Sequence, residues 1–199
     1  PPSEAEVDMM KGSQTLISAL QISVQPKVIL QKLMQKKITA IAWDYIRDEE
    51  DVFPVVRTMG EMAGTMSMLI AGELLSSFSS GKGVLLGSVA GVAPTEVVVI
   101  GAGTVGEYAV RAALGLGASV KVFDNSLSRL RRLQNDVGQR IYTSIIQPKV
   151  LAKALMRADV AIGAVRSSLG RTPCVVTDEM VQNMKHRSVI VDVSIDQGG

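Results

Sequence analysis

Three glycines at fixed spacing, followed about twenty residues later by an acid, are the residues best placed for chemistry. Gly101, Gly103 and Gly106 lie between two apolar runs, and Asp124 ends the second run. Gly101 permits a tight turn, Gly103 leaves a diphosphate free to approach the backbone, and Gly106 lets a helix lie close to a sheet. The N–H groups at the start of that helix favour phosphate, and a carboxylate can accept hydrogen bonds from ribose hydroxyls. The pattern therefore predicts a dinucleotide site.

The acid also predicts which dinucleotide binds. A 2′-phosphate would be repelled by the Asp124 carboxylate, so NAD is favoured over NADP. Three arginines follow at Arg129, Arg131 and Arg132, and they could form either a 2′-phosphate clamp or the solvated face of the next helix. We interpret them as a solvated face from which Arg129 alone reaches the adenosine end.

The glycines belong to a stretch in which apolar runs alternate with helix patterns. The expected strands are residues 97–100, 120–123, 141–145, 160–165 and 189–193. Pro148 is predicted to begin a helix that runs to Arg157, and Thr177 to cap another that runs to Lys185. Parallel strands joined by helix-length segments need crossover connections. The predicted fold class is therefore α/β, with a Rossmann-type doubly wound parallel sheet.

Residues 1–54 follow a different pattern, which predicts the closing part of a second α/β domain. Residues 4–21 predict a helix followed by mixed structure, 26–37 a helix, and 38–43 a buried strand. The chain opens at Pro1 without a methionine and stops after an apolar strand. We therefore expect a fragment of a longer protein.

Residues 55–80 are predicted to be a connecting helix and its exit loop, with the dinucleotide domain at 81–199. The helix is dense in glycine, alanine and methionine, and small residues let helix backbones approach closely. The pattern is compatible with an ordinary core helix, or with a helix shared between domains and between subunits.

Composition excludes several classes of function. The net charge is +2 with no basic cluster among aromatic residues, so no nucleic-acid partner is expected. No apolar run reaches the roughly 18 residues of a membrane span. The single cysteine, Cys174, excludes an internal disulfide and fits a reducing cytoplasm. With His186 as the only histidine, no metal site is expected.

Several segments together resemble the alanine dehydrogenase family, which includes the alpha subunits of transhydrogenases. They are GKGVLLGSVAGVAPTEVVVIGAGTVGEYAVRAALGLGASVKVFDNSLSRLRRL, the terminal SVIVDVSIDQGG, TAIAWDYI and PVVRTMGEMAG. The resemblance covers essentially the whole chain. It implies NAD-dependent oxidative deamination of L-alanine to pyruvate and ammonia by a homo-oligomer, either a dimer or a hexamer. One alternative is the NAD-binding part of a proton-translocating transhydrogenase, a family with a Gln-Asn-Pro segment that Gln25-Pro26 weakly resembles. The other is a non-catalytic nucleotide-binding module.

The resemblance also implies roles for particular residues. The pyrophosphate would be held by Gly101, Ala102, Gly103, Thr104, Val105 and Gly106. The adenosine end would be held by Asp124, Asn125 and Arg129. The nicotinamide end would lie beside Val165, Val193 and Ile195. Asp196 is the catalytic candidate, and Gln21 is the second residue expected at the reacting centre.

Two positions depart from the family pattern. Gln21 stands where the family commonly has a histidine, and glutamine cannot exchange a proton near neutral pH. Gly60 replaces a serine, so one hydrogen bond to the cofactor is expected to be missing. The resemblance puts the substrate-binding arginine and lysine before Pro1. We therefore expect this chain alone to bind NAD weakly and to catalyse nothing.

Overall fold

The described chain forms two compact units that divide between Met59 and Gly60. The computed structural model describes residues 1–22, 24–49, 52–166 and 172–195. A long helix at residues 54–75 runs across the division. Both units contain parallel strands connected through helices, which confirms the predicted α/β class.

The first unit pairs two short parallel strands through a helix. Its elements are α1 (Glu4–Met9), β1 (Thr15–Ser18), α2 (Lys27–Gln35) and β2 (Thr39–Ala42). Ser3 and Glu6 form a capping box that begins α1. Val7, Ile29 and Leu33 form a small buried core. The predicted helix at 26–37 and the strand at 38–43 are both present, each slightly shorter than expected.

The prediction that residues 38–43 are buried is wrong. Thr39, Ala40 and Ile41 are exposed, and Ile41 is 43% accessible. Side chains alternate between the faces of a strand. Leu16 and Ile38 pack on the small core, whereas Ile17 and Ile41 are exposed. An apolar β-branched run predicted the strand correctly but carried no information about which of its faces is covered.

The second unit contains a five-stranded parallel sheet in the described residues. Its strands and helices after the long helix α3 (Pro54–Leu75) are β3 (Glu96–Ile100), α4 (Thr104–Gly115), β4 (Ser119–Phe123), α5 (Leu127–Val137), β5 (Tyr142–Ser144), α6 (Pro148–Leu155), β6 (Val160–Gly163), α7 (Asp178–Gln182) and β7 (Val189–Asp192). The strand order is β5-β4-β3-β6-β7. The chain therefore fills one side of β3 first and then the other, which confirms the predicted doubly wound sheet.

The central strand β3 is buried on both faces. Val97 and Val99 pack with residues of α3, α4 and α5 on one face, here called the α4 face. Val98 and Ile100 pack with Leu151 and other residues of α6 on the opposite face, here called the α6 face. Alternate residues of one strand thus serve two cores, as expected of a parallel sheet covered on both sides.

Two predicted helix starts are confirmed, although both helices end early. Pro148 stands in the first turn of α6, and the Thr177 hydroxyl accepts a hydrogen bond from the Met180 N–H at the start of α7. The predicted ends at Arg157 and Lys185 are wrong, because α6 ends at Leu155 and α7 at Gln182.

Helix α3 lies very close to α4. A Cβ at Gly64 would overlap the Val105 carbonyl oxygen and lie 2.9 Å from the Tyr108 Cβ. The expectation that small residues allow close approach of this helix is therefore confirmed at Gly64. Among the described residues, no helix is both long and apolar enough to cross a membrane.

A charged cluster ties the strands together at their amino ends. The Asp159 side chain is only 8% exposed and lies 3.0 Å from the amino groups of both Lys82 and Lys185. It also accepts a hydrogen bond of 3.0 Å from the Glu96 N–H. Burial alone would raise the pKa of Asp159, but the bonds from Glu96, Lys185 and Lys82 outweigh it and lower that pKa.

We expect Asp159→Asn to lower the free energy of unfolding at neutral pH by about 2–3 kcal/mol. This loss of stability lies at or below the usual range for breaking a buried ion pair. The reason is that the two lysines are 33% and 35% exposed, so water partly screens their attraction to Asp159. The folded pKa lies below the unfolded one, so the stabilisation is present above about pH 4 and is lost as pH falls through the folded value. Urea unfolding at neutral and acidic pH measures both effects.

Asp8→Asn is the matched control, because Asp8 pairs with Lys32 while its own side chain is 53% exposed. It should cost much less stability. Equal losses in the two variants would contradict the role given to Asp159.

Candidate functional site

The glycine-rich turn lies at the carboxyl end of β3, where the strand order reverses. Open α/β sheets bind ligands at such points. Gly101 has a φ of +113°, and a Cβ there would overlap the Ala164 carbonyl oxygen. Its N–H donates to the Phe123 carbonyl oxygen at 2.7 Å. Gly101 is therefore required by the turn itself.

Gly106 and Gly103 have different surroundings. A Cβ at Gly106 would overlap the Gly101 carbonyl oxygen, so a side chain there would push α4 away from the turn. A Cβ at Gly103 would meet no atom of the described protein within 4 Å. Two glycines are thus required by packing, whereas Gly103 borders open space that a bound group can fill.

The first turn of α4 offers hydrogen-bond donors to that space. Its N-cap, Gly103, has no side chain to cap the helix. The Glu107 N–H bonds to the Gly103 carbonyl oxygen. Within the described ranges, the N–H groups of Gly103, Thr104 and Val105 have no acceptor. Together with the helix dipole they form an arrangement suited to a phosphate.

Asp124 is anchored directly to the turn. It is 6% exposed, and its Oδ2 accepts a hydrogen bond of 2.7 Å from the Ala102 N–H. Its Oδ1 accepts another of 2.7 Å from the Ser126 N–H. The Arg129 guanidinium lies 3.8 Å from Oδ2. The structure thus brings Asp124 and Arg129 together with the glycine-rich turn, and each carboxylate oxygen keeps lone-pair capacity for a further donor.

Two further polar residues lie around Asp124. Asn125 is exposed, and its side-chain oxygen accepts a hydrogen bond of 3.2 Å from the Ile146 N–H. Arg132 is half-exposed, and it donates to the Ala102 carbonyl oxygen at 3.3 Å. Arg132 thus lies on the exposed face that was predicted, but its contact with the glycine-rich turn was not predicted. Its spacing from Asp124 gave no signal, because the contact depends on how α5 packs beside the turn.

The three residues predicted beside the nicotinamide lie at the carboxyl ends of β6 and β7, but they differ in burial. Val165 is partly buried on the α6 face. Val193 packs on the α4 face, and its N–H donates to the Gly163 carbonyl oxygen at 2.9 Å. Ile195 is 71% exposed. All three lie at the carboxyl end of the sheet, although Val165 and Val193 pack on opposite faces of it.

Of the two catalytic candidates, Asp196 lies outside the described residues. Gln21 follows β1 and has a φ of +45°, which side chains other than glycine rarely adopt. The Asp44 carboxylate holds this conformation by accepting bonds from the Leu20 and Gln21 N–H groups at 3.1 and 2.9 Å. Strained backbone of this kind clusters at functional sites. Asp44 was not predicted, although an acid directly after a strand could have pointed to it.

Within the described ranges, no cluster of histidine, cysteine, aspartate and glutamate side chains could hold a metal ion. His186 and Cys174 are both exposed.

Known proteins resemble this chain over its whole length. Alanine dehydrogenases of Mycolicibacterium smegmatis and Methanococcus maripaludis are 40% and 38% identical over 198 residues, covering all of this chain and 53% of each relative. A solved L-alanine dehydrogenase superposes with a TM-score of 0.87 at 36% identity, covering 100% of this chain and 55% of the other. A solved transhydrogenase from Sinorhizobium meliloti shares the fold, with a TM-score of 0.79 at 21% identity. The superposition covers 100% of this chain and 58% of the transhydrogenase chain.

The chain spans about half the length of the curated relatives it matches. The family model described as "Alanine dehydrogenase/PNT, C-terminal domain" matches residues 67–199, which include the sheet, the glycine-rich turn and Asp124. The chain therefore belongs to the alanine dehydrogenase/PNT family.

Proposed function

We propose that the full-length protein is an NAD-dependent alanine dehydrogenase. It would convert L-alanine, NAD and water reversibly into pyruvate, ammonium, NADH and a proton. The observation that carries the proposal is the Asp124–Ala102 bond beside the open space at Gly103. The named alanine dehydrogenases at 38% and 40% identity support the choice of reaction.

The residues of the turn fit the diphosphate of a nicotinamide cofactor. The N–H groups of Gly103, Thr104 and Val105 would donate to its oxygens, while the helix dipole favours its charge. A cofactor held there would supply the acceptor for the hydride of the alanine Cα. The absence of a side chain at Gly103 keeps the required space free.

Asp124, Asn125 and Arg129 would hold the adenosine end. The Asp124 carboxylate has acceptor capacity left for ribose hydroxyls and would repel a 2′-phosphate, which supports NAD over NADP. Arg129, half-exposed and 3.8 Å from that carboxylate, would close over the ribose. Turnover with NADP equal to that with NAD would remove this assignment.

Asp196 and Gln21 would act on the substrate. We assign proton transfer to Asp196, because a carboxylate can exchange a proton and an amide cannot. Gln21, fixed by Asp44, would orient alanine or water through hydrogen bonds. Val165, Val193 and Ile195 would border the nicotinamide and limit access of water to it.

We also propose that the protein is a homo-oligomer, a dimer or a hexamer, in the cytoplasm. Helix α3 exposes an apolar row in which Met62, Met66 and Leu69 are 57%, 49% and 57% accessible. Exposed apolar rows of this kind are typical of surfaces that bind another protein. Analytical ultracentrifugation of the full-length protein would test the assembly, and a monomer would contradict it.

The proposed function is tested by NADH formation from NAD and L-alanine in the full-length protein. Glycine, L-serine and L-valine serve as substrate controls and NADP as the cofactor control. Turnover that requires alanine and NAD is the expected result. Bound NADH without turnover of any amino acid would favour a transhydrogenase component or a non-catalytic module instead.

Gly60→Ser should raise NADH affinity about three- to fivefold by restoring the expected hydrogen bond. A Cβ at Gly60 would lie 3.5 Å from atoms of Thr104 and Val105, which is ordinary contact, so the serine fits. Gly60→Ala is the matched control because it adds the carbon without the hydroxyl. Fluorescence titration with NADH measures the difference, and equal gains in both variants would contradict a hydroxyl contact.

A further inference from the structure

The Ala102 residue is held by charged side chains on both its N–H and its carbonyl group. Its N–H donates to the buried Asp124 carboxylate at 2.7 Å, and its carbonyl oxygen accepts from the Arg132 guanidinium at 3.3 Å. We infer that Arg132 is a positioning residue that orients the glycine-rich turn for the diphosphate. This inference rests on the dinucleotide site of the proposed function.

The planarity of the peptide bond connects Arg132 to the ligand space. The Ala102 carbonyl and the Gly103 N–H belong to one trans peptide and point in opposite directions. A bond that fixes the carbonyl therefore fixes the N–H. Within the described chain that N–H has no acceptor, and a Cβ at Gly103 would meet nothing within 4 Å. The Arg132 bond thus holds a donor aimed away from Arg132, beside the open space.

Glycine makes such an anchor necessary. Gly103 has more backbone freedom than any other residue type would have, so the peptide before it can rotate unless a neighbouring group restrains it. The bond from Asp124 restrains the Ala102 N–H, which belongs to the preceding peptide. Arg132 restrains the peptide that carries the Gly103 N–H.

Arg132 also lies near an acid on its own helix. Its Nε lies 3.8 Å from the Asp136 carboxylate one turn later on α5. The Asp136 carbonyl oxygen accepts a bond of 2.8 Å from Arg111 on α4, and Arg111 pairs with Glu107 at 2.9 Å. Asp136 therefore contacts Arg132 within α5 through its side chain and Arg111 of α4 through its backbone.

Arg131 provides a matched control for the charge of Arg132. It is exposed, carries the same charge and stands next to Arg132 on α5. Both guanidinium groups attract phosphate through Coulomb interaction, which salt screens. A hydrogen bond that orients the turn is much less sensitive to salt.

The test compares Arg132→Met and Arg131→Met in the full-length protein. Calorimetry measures binding of ADP-ribose at low and high salt, with adenosine as a ligand that lacks the diphosphate. We expect Arg132→Met to weaken ADP-ribose about five- to tenfold at both salt concentrations and to leave adenosine unchanged. Arg131→Met should have less than about a twofold effect at high salt. Thermal unfolding checks that both variants fold.

Three results would overturn the inference: equal effects of the two variants, an Arg132→Met effect that disappears in high salt, or an equal loss of adenosine binding. An effect confined to a 2′-phosphorylated ADP-ribose would make Arg132 a ligand of that phosphate and overturn it as well. If the wild-type protein fails to bind ADP-ribose, the dinucleotide site and this inference fail together. If it binds ADP-ribose but does not turn over alanine, only the proposed reaction fails, and the two variants still decide the role of Arg132.

Discussion

Gly103→Ala is expected to lower the NADH affinity of the full-length protein at least about tenfold while leaving its stability unchanged. Gly103 has a φ of −81° and a ψ of −169°, which alanine adopts without strain. The new methyl group would meet no described protein atom within 4 Å. It would instead occupy the space assigned to the diphosphate and hold it away from the helix N–H groups. Fluorescence titration with NADH and urea unfolding measure the two quantities.

Gly106→Ala is the matched variant, since the same methyl group is added three residues later. It would overlap the Gly101 carbonyl oxygen and lie 3.4 Å from Val99 Cγ1, so α4 must move away from β3. We expect a loss of about 2 kcal/mol or more in stability together with the loss of NADH affinity. The pair therefore separates a packing glycine from a ligand-facing one. Unchanged NADH affinity in Gly103→Ala would show that the diphosphate does not cross this position.

Local sequence patterns predicted most of the second unit. Val97–Ile100 is apolar throughout and indicates a strand buried on both faces, which the structure confirms. The glycine spacing indicates a strand, a turn and a helix within about ten residues. The same strand–turn–helix–strand pattern predicts that Asp124 stands at the end of the next strand. Each of these features depends on residues close together in the chain, and for that reason the sequence was sufficient.

Features that depend on distant residues were not predicted. The bond between Glu96 and Asp159 joins residues 63 positions apart, and Asp44 reaches Gln21 across 23 positions. Neither pair has a characteristic spacing. The prediction that β2 is buried failed for the same reason, because the sequence of an apolar strand does not reveal whether another element covers it. Helix periodicity predicts which side of α5 is exposed, but not which residues of other elements lie beside it. The contact between Arg132 and Ala102 was therefore not predicted.

The two ends of the parallel sheet have separate chemical tasks. Asp159 and its lysine partners lie at the amino ends of the strands, where their bonds stabilise β3, β6 and β7 together. The open N–H groups of α4 and the Asp124 carboxylate lie at the carboxyl ends. Substitutions at Asp159 should therefore change stability with little effect on NADH affinity, while Gly103→Ala should do the reverse.

Asp196→Asn is expected to reduce kcat at least about a thousandfold while NADH still binds. Asparagine has nearly the same size but cannot exchange a proton, so the change removes acid–base function with little change in shape. With Gln21 in place of a histidine, no imidazole stands at that position to take over the proton. Steady-state kinetics with L-alanine, together with NADH titration, would measure both effects in the full-length protein.

Asp192→Asn is the control, because Asp192 is the last residue of β7 and stands four positions before Asp196 in the chain. The Asp192 carboxylate accepts bonds from the Ser194 N–H and hydroxyl at 2.9 and 2.6 Å, so it stabilises the turn after β7. We expect this variant to lose stability and to keep kcat within a few-fold of the wild type, since its carboxylate is already bound within the protein. If Asp196→Asn kept its turnover, Asp196 would not be the proton-transfer group. If it lost NADH binding as well, Asp196 would be needed to form the cofactor site, and the proton would have to pass through another residue.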